Sequence, residues 1–299
     1  MKHMLLPFAL GGVLLLLLFN IDVITDFTVD IVDNQPKPTI DIPNSYAKNE
    51  NYLYVQKSED FVPYSRQDIM NILYTIFDQG YETFTFYCPS EYADCIKDVE
   101  DITNNRTVIT DIGNFVHPYN NYTTLKVARG SLGEVNVTVT KTYTKEMIEE
   151  IDRKIEAIFK EIFTDDMDIY DKMLKFHDYI IDHASYDQND EEVNSGNAYG
   201  ALIAGKAKCA GYADALAIAL NKLDVKNIKV ASDKHVWNAV YLDGEWSQID
   251  LTWDDPIVEE GAYLTDTIRH KFYMIDTSIL LSYDTEDHNF DKNVYMEVR

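Results

Sequence analysis

Three residues in the C-terminal half of this 299-residue chain have the types and settings needed for thiol chemistry: Cys209, His235 and Asp250. A cysteine attacks carbonyl carbon as its thiolate, so it needs surroundings that favour negative charge and a base to move the proton. Residues Ala210 to Leu223 carry Ala213, Leu216, Ala217, Leu220 and Leu223 along one side, which predicts a buried helix. Cys209 then stands at the helix N-terminus, where backbone N–H groups and the macrodipole favour the thiolate. Lys206 and Lys208 would add to that field, and Ala207, Ala210 and Gly211 leave room for a substrate chain. By itself, a cysteine opening a buried helix is structural more often than catalytic. It needs a base.

The base comes from a hairpin whose register is readable. His235–Leu242 and Glu245–Trp253 read as strands flanking Asp243-Gly244, a strong two-residue turn signal. Closing that turn pairs Leu242 with Glu245, hence Trp237 with Asp250 and His235 with Thr252. Side chains alternate faces along a strand, so His235, Trp237 and Asp250 share one side. His235 and Asp250 become diagonal neighbours within side-chain reach. The expectation is that the carboxylate accepts the Nδ1 proton of His235 and leaves Nε2 facing the thiol.

Other features read as structural. Gly200-Ala-Leu-Ile-Ala-Gly205-Lys206-Ala207 nearly spells a phosphate-binding loop but ends in Ala, without the hydroxyl that binds magnesium, and no apolar strand precedes it. The acidic stretch Asp187–Ser195 lacks the glycine and the twelfth-position Glu of a calcium loop. No metal or cofactor is expected. His177, beside the apolar stripe of a helix over Asp168–Ala184, reads as a hydrogen-bonded core histidine. Asp254 and Asp255, next to Pro256, read as turn-formers. Lys271–Ile275 reads as a strand, and His288 has no assigned task.

Three blocks carry a resemblance. Cys209-Ala-Gly211-Tyr212-Ala213, His235-Val-Trp237-Asn238 and Asp250-Leu-Thr252-Trp253-Asp254-Asp255-Pro256 occur in the order seen in bacterial members of the transglutaminase-like superfamily, and the likeness extends over roughly 145–290. Lys172–Ile180 and Tyr186-Asp187 resemble a helix and loop of the same proteins. The resemblance implies an α+β, papain-like core in which a nucleophile helix packs on an antiparallel sheet. It implies attack by Cys209 on an amide carbonyl of a protein or peptide, then resolution of a thioester by an amine (cross-linking) or by water (deamidation or proteolysis). The alternative on the same fold is a non-catalytic peptide- or cell-surface-binding module. Tyr212, Trp237 and Trp253 are candidates to line the substrate groove, and core aromatics if they do not.

The remaining organisation follows from composition and periodicity. A hydrophobic fraction of 46% marks a globular chain, and a formal charge of −25 disfavours nucleic acid and anionic membrane surfaces as partners. The apolar run Met4–Phe19 covers about 24 Å as a helix, against the roughly 30 Å of a bilayer core. Continuing to Ile24 reaches spanning length, and no small-residue cleavage site follows. Residues 1–27 are therefore expected to be a signal anchor, with the body on the extracytoplasmic side; secretion after signal cleavage is the alternative. Residues 28–60, with Pro36, Pro38 and Pro43, read as a tether. Residues 61–143 read as a small α+β unit, with a helix over Ser65–Gln79 and strands at Tyr81–Tyr87, Asn121–Ala128 and Glu134–Tyr143. A helix over Lys145–Phe163 opens the domain expected at 144–299. Cys88 and Cys95 are close enough for a turn to join them, or stand as two buried thiols. The nucleophile assignment predicts that Cys209→Ala abolishes amide turnover while the circular dichroism spectrum stays native; turnover at the wild-type rate would remove Cys209 from the chemistry.

Overall fold

A computed structural model describes residues 45–257, 265–283 and 285–299. The membrane helix expected at 1–27 and the first part of the tether lie outside the described residues. Among the described residues, no helix is long and apolar enough to cross a membrane.

Residues 45–60 correct the reading of a tether. They lie against the body, with Tyr52 and Val55 buried and the Lys48 and Asn49 N–H groups donating to the buried Asp78 carboxylate. Proline and asparagine interrupt periodicity there, but two apolar anchors are enough to hold an irregular segment. Helix α1 (Arg66–Asp78) starts where Ser65 accepts the Asp68 N–H, and it buries Ile69, Ile72, Leu73, Ile76 and Phe77. Strands β1 (Thr83–Tyr87), β2 (Tyr122–Arg129) and β3 (Glu134–Lys141) form an antiparallel sheet in the order β1-β3-β2. Two helices not anticipated from the sequence, α2 (Cys95–Asn104) and α3 (Arg106–Gly113), fill the β1–β2 connection. A Cys88–Cys95 disulfide ties the start of α2 to the end of β1.

In the C-terminal half, α4 (Lys145–Ile162) and α5 (Ile169–His183) are capped by Thr144 and Asp168. After them come the short parallel pair β4 (Ser185–Tyr186) and β5 (Lys206–Ala207), then helix α6 (Cys209–Lys222). An antiparallel sheet follows, in the order β6 (Lys226–Ala231), β7 (Val236–Leu242), β8 (Glu245–Ile249). The period-2 pattern of this sheet feeds two cores. Ile228, Val230, Trp237 and Ala239 join a core with α1, α2 and α3. Val240 and Ile249 join another with α4, α5 and α6. The architecture is thus α+β, with the helix bearing Cys209 packed on an antiparallel sheet.

Two chain-end readings change. The second hairpin strand stops at Ile249, four residues before the expected Trp253, and α7 (Leu251–Asp254) begins with Asp250 as its cap. Lys271–Ile275 is not a strand; only Ile275 bridges to Gln248, and Met274 takes a positive φ of 53°. A left-handed residue ends strand pairing there.

Packing also fixes where α6 starts. Lys208 N–H donates to Ser195 O at 2.8 Å, and a Cβ on Gly211 would lie 2.4 Å from that same Ser195 carbonyl and 2.9 Å from Asn197 O. Backbone cannot give way as a side chain can, so Gly211→Ala is expected to cost about 1–3 kcal/mol through overpacking. Urea denaturation checks this; an unchanged midpoint would mean that the 194–197 turn moves aside freely.

Candidate active site

Asp250 sits where β8 turns into α7. The chain leaves the sheet here because two partners compete successfully with continued pairing. Asp250 N–H donates to Phe272 O at 3.0 Å, and Asp250 Oδ1 accepts the Trp253 N–H at 3.2 Å, starting the helix. The hairpin register is the expected one, from Leu242↔Glu245 to Asn238↔Ile249. Continued by one residue, it sets Asp250 beside Trp237, diagonal to His235.

His235 precedes β7, and its Nε2 donates to Asp250 Oδ2 at 2.6 Å. This reverses the expected assignment: Nε2, not Nδ1, faces the carboxylate, leaving Nδ1 for the thiol. Asp250, one residue past the end of the neighbouring strand, meets the Nε2 side of the ring. Both side chains are buried, His235 at 8% and Asp250 at 1% exposure. Burial alone would lower the His235 pKa, but the Asp250 charge and hydrogen bond, with a hydrogen bond to Cys209, outweigh it and raise it to about 10. Burial alone would raise Asp250; the hydrogen bonds and charge of His235, aided by His288, hold it low instead.

Cys209 is the first residue of α6 and is partly exposed. The β4–β5 pair aligns the approach, with Tyr186 opposite Ala207 and Asp187 N–H donating to Ala207 O at 2.9 Å. Gly205 makes the preceding turn at a φ of 72°, which favours glycine. Lys206 and Lys208, expected to add to the field at the thiol, pair with Glu191 and Asp190 on the exposed acidic loop.

A cavity of about 370 Å³ opens beside His235, lined also by Tyr186, Thr252, Trp253, Asp255 and Ile257. Of the groove candidates, Trp253 lies on it. Trp237 and Tyr212 are each 1% exposed and belong to the interior. Trp237 Nε1 donates to Gln248 Oε1, and Tyr212 donates to Asp255 Oδ2 at 2.6 Å. Asp255 is therefore more than a turn-former: it faces the cavity, and burial raises its pKa to about 6.

Residues 156–251 match the family model described as the transglutaminase-like superfamily, a span that contains Cys209, His235 and Asp250. This stretch belongs to the transglutaminase-like superfamily. Partial likenesses to solved structures run alongside it. A structure described as a TGase, with no organism stated, is 18% identical, at a TM-score of 0.34 over 51% of this chain and 49% of that one. A proposed cysteine protease from Cytophaga hutchinsonii is 13% identical, at a TM-score of 0.28 over 43% of this chain and 61% of that one. Menin, whose structure shows the binding site for the Mixed Lineage Leukemia protein, is 17% identical, at a TM-score of 0.30 over 43% of this chain and 29% of that one. The chain thus covers less than two thirds of each of these proteins. A search of curated protein sequences finds no match.

Two further histidines bear on the site, His288 from outside the matched span and His177 from within it. His288, given no role from sequence, places Nε2 at 2.8 Å from Asp250 Oδ2. No local pattern pointed to it, because it arrives from a 3-10 turn in the polar closing segment. His177 is a buried, hydrogen-bonded core histidine, with Nδ1 at 3.2 Å from Asp178 Oδ1 and Nε2 at 3.1 Å from Asp254 Oδ2. Burial alone would lower its pKa, but the two carboxylates raise it. Asp178, which burial would raise, is held down at about 2 by His177 and His270. Asp254, expected only to form a turn, also accepts the Phe272 N–H at 2.8 Å and so braces the segment that receives Asp250.

Two sets of donor atoms lie within 4.8 Å of one another among the described residues: His177, Asp178 and His270, and His235, Asp250 and His288. In both, direct histidine-to-carboxylate hydrogen bonds account for the closeness.

The pH dependence follows from the sign of the His235 shift. A folded-state value near 10, above the ordinary 6.5, gives stability that is complete below pH 6.5 and lost as the pH rises toward 10. Urea midpoints of the wild type are therefore expected to fall across this window. Asp250→Asn should flatten that fall; parallel curves would mean that Asp250 does not hold the proton on His235.

Proposed function

We propose that the chain is a thiol acyl-transferase or hydrolase that acts outside the cytoplasm on amide groups of proteins or peptides. The observation that carries this reading is the 2.6 Å His235–Asp250 hydrogen bond, on an imidazole that also bonds Cys209 at the start of α6. Nδ1 of His235 is the nitrogen left to exchange a proton with the thiol. His235, whose pKa the Asp250 charge and the bonds to Asp250 and Cys209 raise, holds a proton to exchange with Cys209, and the attacking form of Cys209 is the thiolate. The thiolate forms a C–S bond to the carbonyl carbon of a carboxamide or peptide, and the carbonyl electron pair moves onto oxygen. Backbone N–H groups at the helix start, including that of Cys209, are suited to stabilise this oxyanion. As the carbonyl reforms, the C–N bond breaks, and His235 gives its Nδ1 proton to the leaving ammonia or amine. An amine or water then attacks the thioester carbonyl. His235 takes the proton from the attacking group, and the Cys209 thiolate departs.

The acidic character of the molecule favours basic protein substrates. Asp255 and Asp287 stand on the cavity wall, and the whole chain carries a formal charge of −25. The same charge disfavours nucleic acid. The Cys88–Cys95 disulfide fits an oxidising compartment. With the apolar run Met4–Phe19, it supports an arrangement in which residues 1–27 anchor the chain and the folded body lies outside.

Incubation of residues 45–299 with a glutamine-containing peptide and a tagged primary amine distinguishes the outcomes. Mass spectrometry should detect amine incorporation for cross-linking, or a gain of acid product for hydrolysis. Neither product, together with a Cys209 that iodoacetamide labels no faster than free cysteine near neutral pH, would replace the enzyme with a binding module.

A further inference from the structure

Asp250 receives two histidines, and the superfamily match includes only one of them. Both His235 Nε2, at 2.6 Å, and His288 Nε2, at 2.8 Å, point at the same oxygen, Oδ2, while Oδ1 takes the Trp253 N–H. An ionised carboxylate only accepts, so each histidine must present an N–H to it. For His288 this places a hydrogen on Nε2, while Nδ1 and the Thr285 hydroxyl share a hydrogen bond at 2.8 Å. The ring has little freedom to turn. It is 1% exposed and packed between Trp237, Trp253 and Phe272, at centroid separations of 5.1, 4.8 and 5.3 Å.

We infer that His288 is a positioning residue: its Nε2–H keeps Asp250 ionised and turned toward His235, and so keeps the proton on His235 and the thiolate on Cys209. The inference rests on the proposed thiol chemistry and extends the working unit to four groups. A buried carboxylate with a single donor tends to take up a proton or swing away, whereas each further donor favours its charged form. Besides the two histidines, the charged and titratable groups around the unit are Asp254 backed by His177, Tyr186 beside Cys209, and Lys234, Asp255 and Asp287 around the cavity. None of these donates to Oδ2 of Asp250 among the hydrogen bonds of the described residues. The donor lost with His288 therefore has no ready replacement.

The test reads Cys209 directly, by the rate of iodoacetamide labelling from about pH 4 to pH 8. His288→Phe fills the aromatic pocket without a donor, and His288→Gln restores an N–H. The Phe variant is expected to move the acid limb of the rate profile upward by about one pH unit, the scale of one lost charge-assisted hydrogen bond, and the Gln variant to recover most of that shift. An unmoved limb in a natively folded Phe variant overturns the positioning role while leaving the thiol chemistry intact. A Gln variant as impaired as the Phe variant assigns His288 to packing and also overturns it. A wild-type thiol no more reactive than free cysteine at any pH overturns the proposed function itself. Nitrogen-edited NMR of the wild type at about pH 7.5 provides a measurement free of substitutions: His288 should carry its proton on Nε2, and the opposite tautomer rejects the hydrogen bond.

Discussion

A charge buried at 1% exposure is the constraint around which the candidate site is built. A carboxylate in such a place is costly unless its lone pairs are met by donors. Asp250 meets that demand through His235 and His288 on one oxygen and the Trp253 N–H on the other. Each donor comes from a different piece of chain: the residue just before β7, the C-terminal turn and the short helix that Asp250 itself caps. The aspartate thus joins three segments while biasing the imidazole toward its protonated form.

The sheet makes this convergence reproducible because both of its faces are buried. Trp237 and Ala239 are held by the core with α1, and Val240 and Ile249 by the core with α6. A slip of one residue would exchange the two sets of side chains and spoil both cores. Helix α6 is tied to the same sheet by a buried pair, Lys229 Nζ to Asp214 Oδ1 at 2.7 Å, with Tyr143 donating to the other Asp214 oxygen at 2.7 Å. Tyr143 in turn accepts the Ala198 N–H at 2.8 Å, so the turn ahead of Cys209 shares the anchorage. Removing one member would strand a buried charge, which couples the thiol's position to the integrity of the fold.

Acidity acts differently at different depths. On the surface loop, Asp190 and Glu191 pair with Lys208 and Lys206, and solvent screens what remains. Inside, His177 lies between the carboxylates of Asp178 and Asp254, whereas the Asp250 carboxylate lies between His235 and His288. Asp255 lies between these regimes, at the cavity wall against Tyr212, where burial raises its pKa to about 6. Its charge therefore varies over the pH range in which a substrate amine stays cationic.

The sequence by itself determined the local parts of this protein. The Asp243-Gly244 turn set the hairpin register, and the spacing of Leu216, Leu220 and their neighbours put Cys209 at a helix start, because turn geometry and helical periodicity depend on residues close together in the chain. Only the tertiary structure decided which nitrogen of His235 meets Asp250, that the second strand stops at Ile249, and that Trp237 and Tyr212 are interior. It alone brought in His288, 38 residues along the chain from Asp250. These outcomes turn on which groups compete for the same hydrogen bonds and space after distant segments meet, and neither pattern nor propensity encodes that competition.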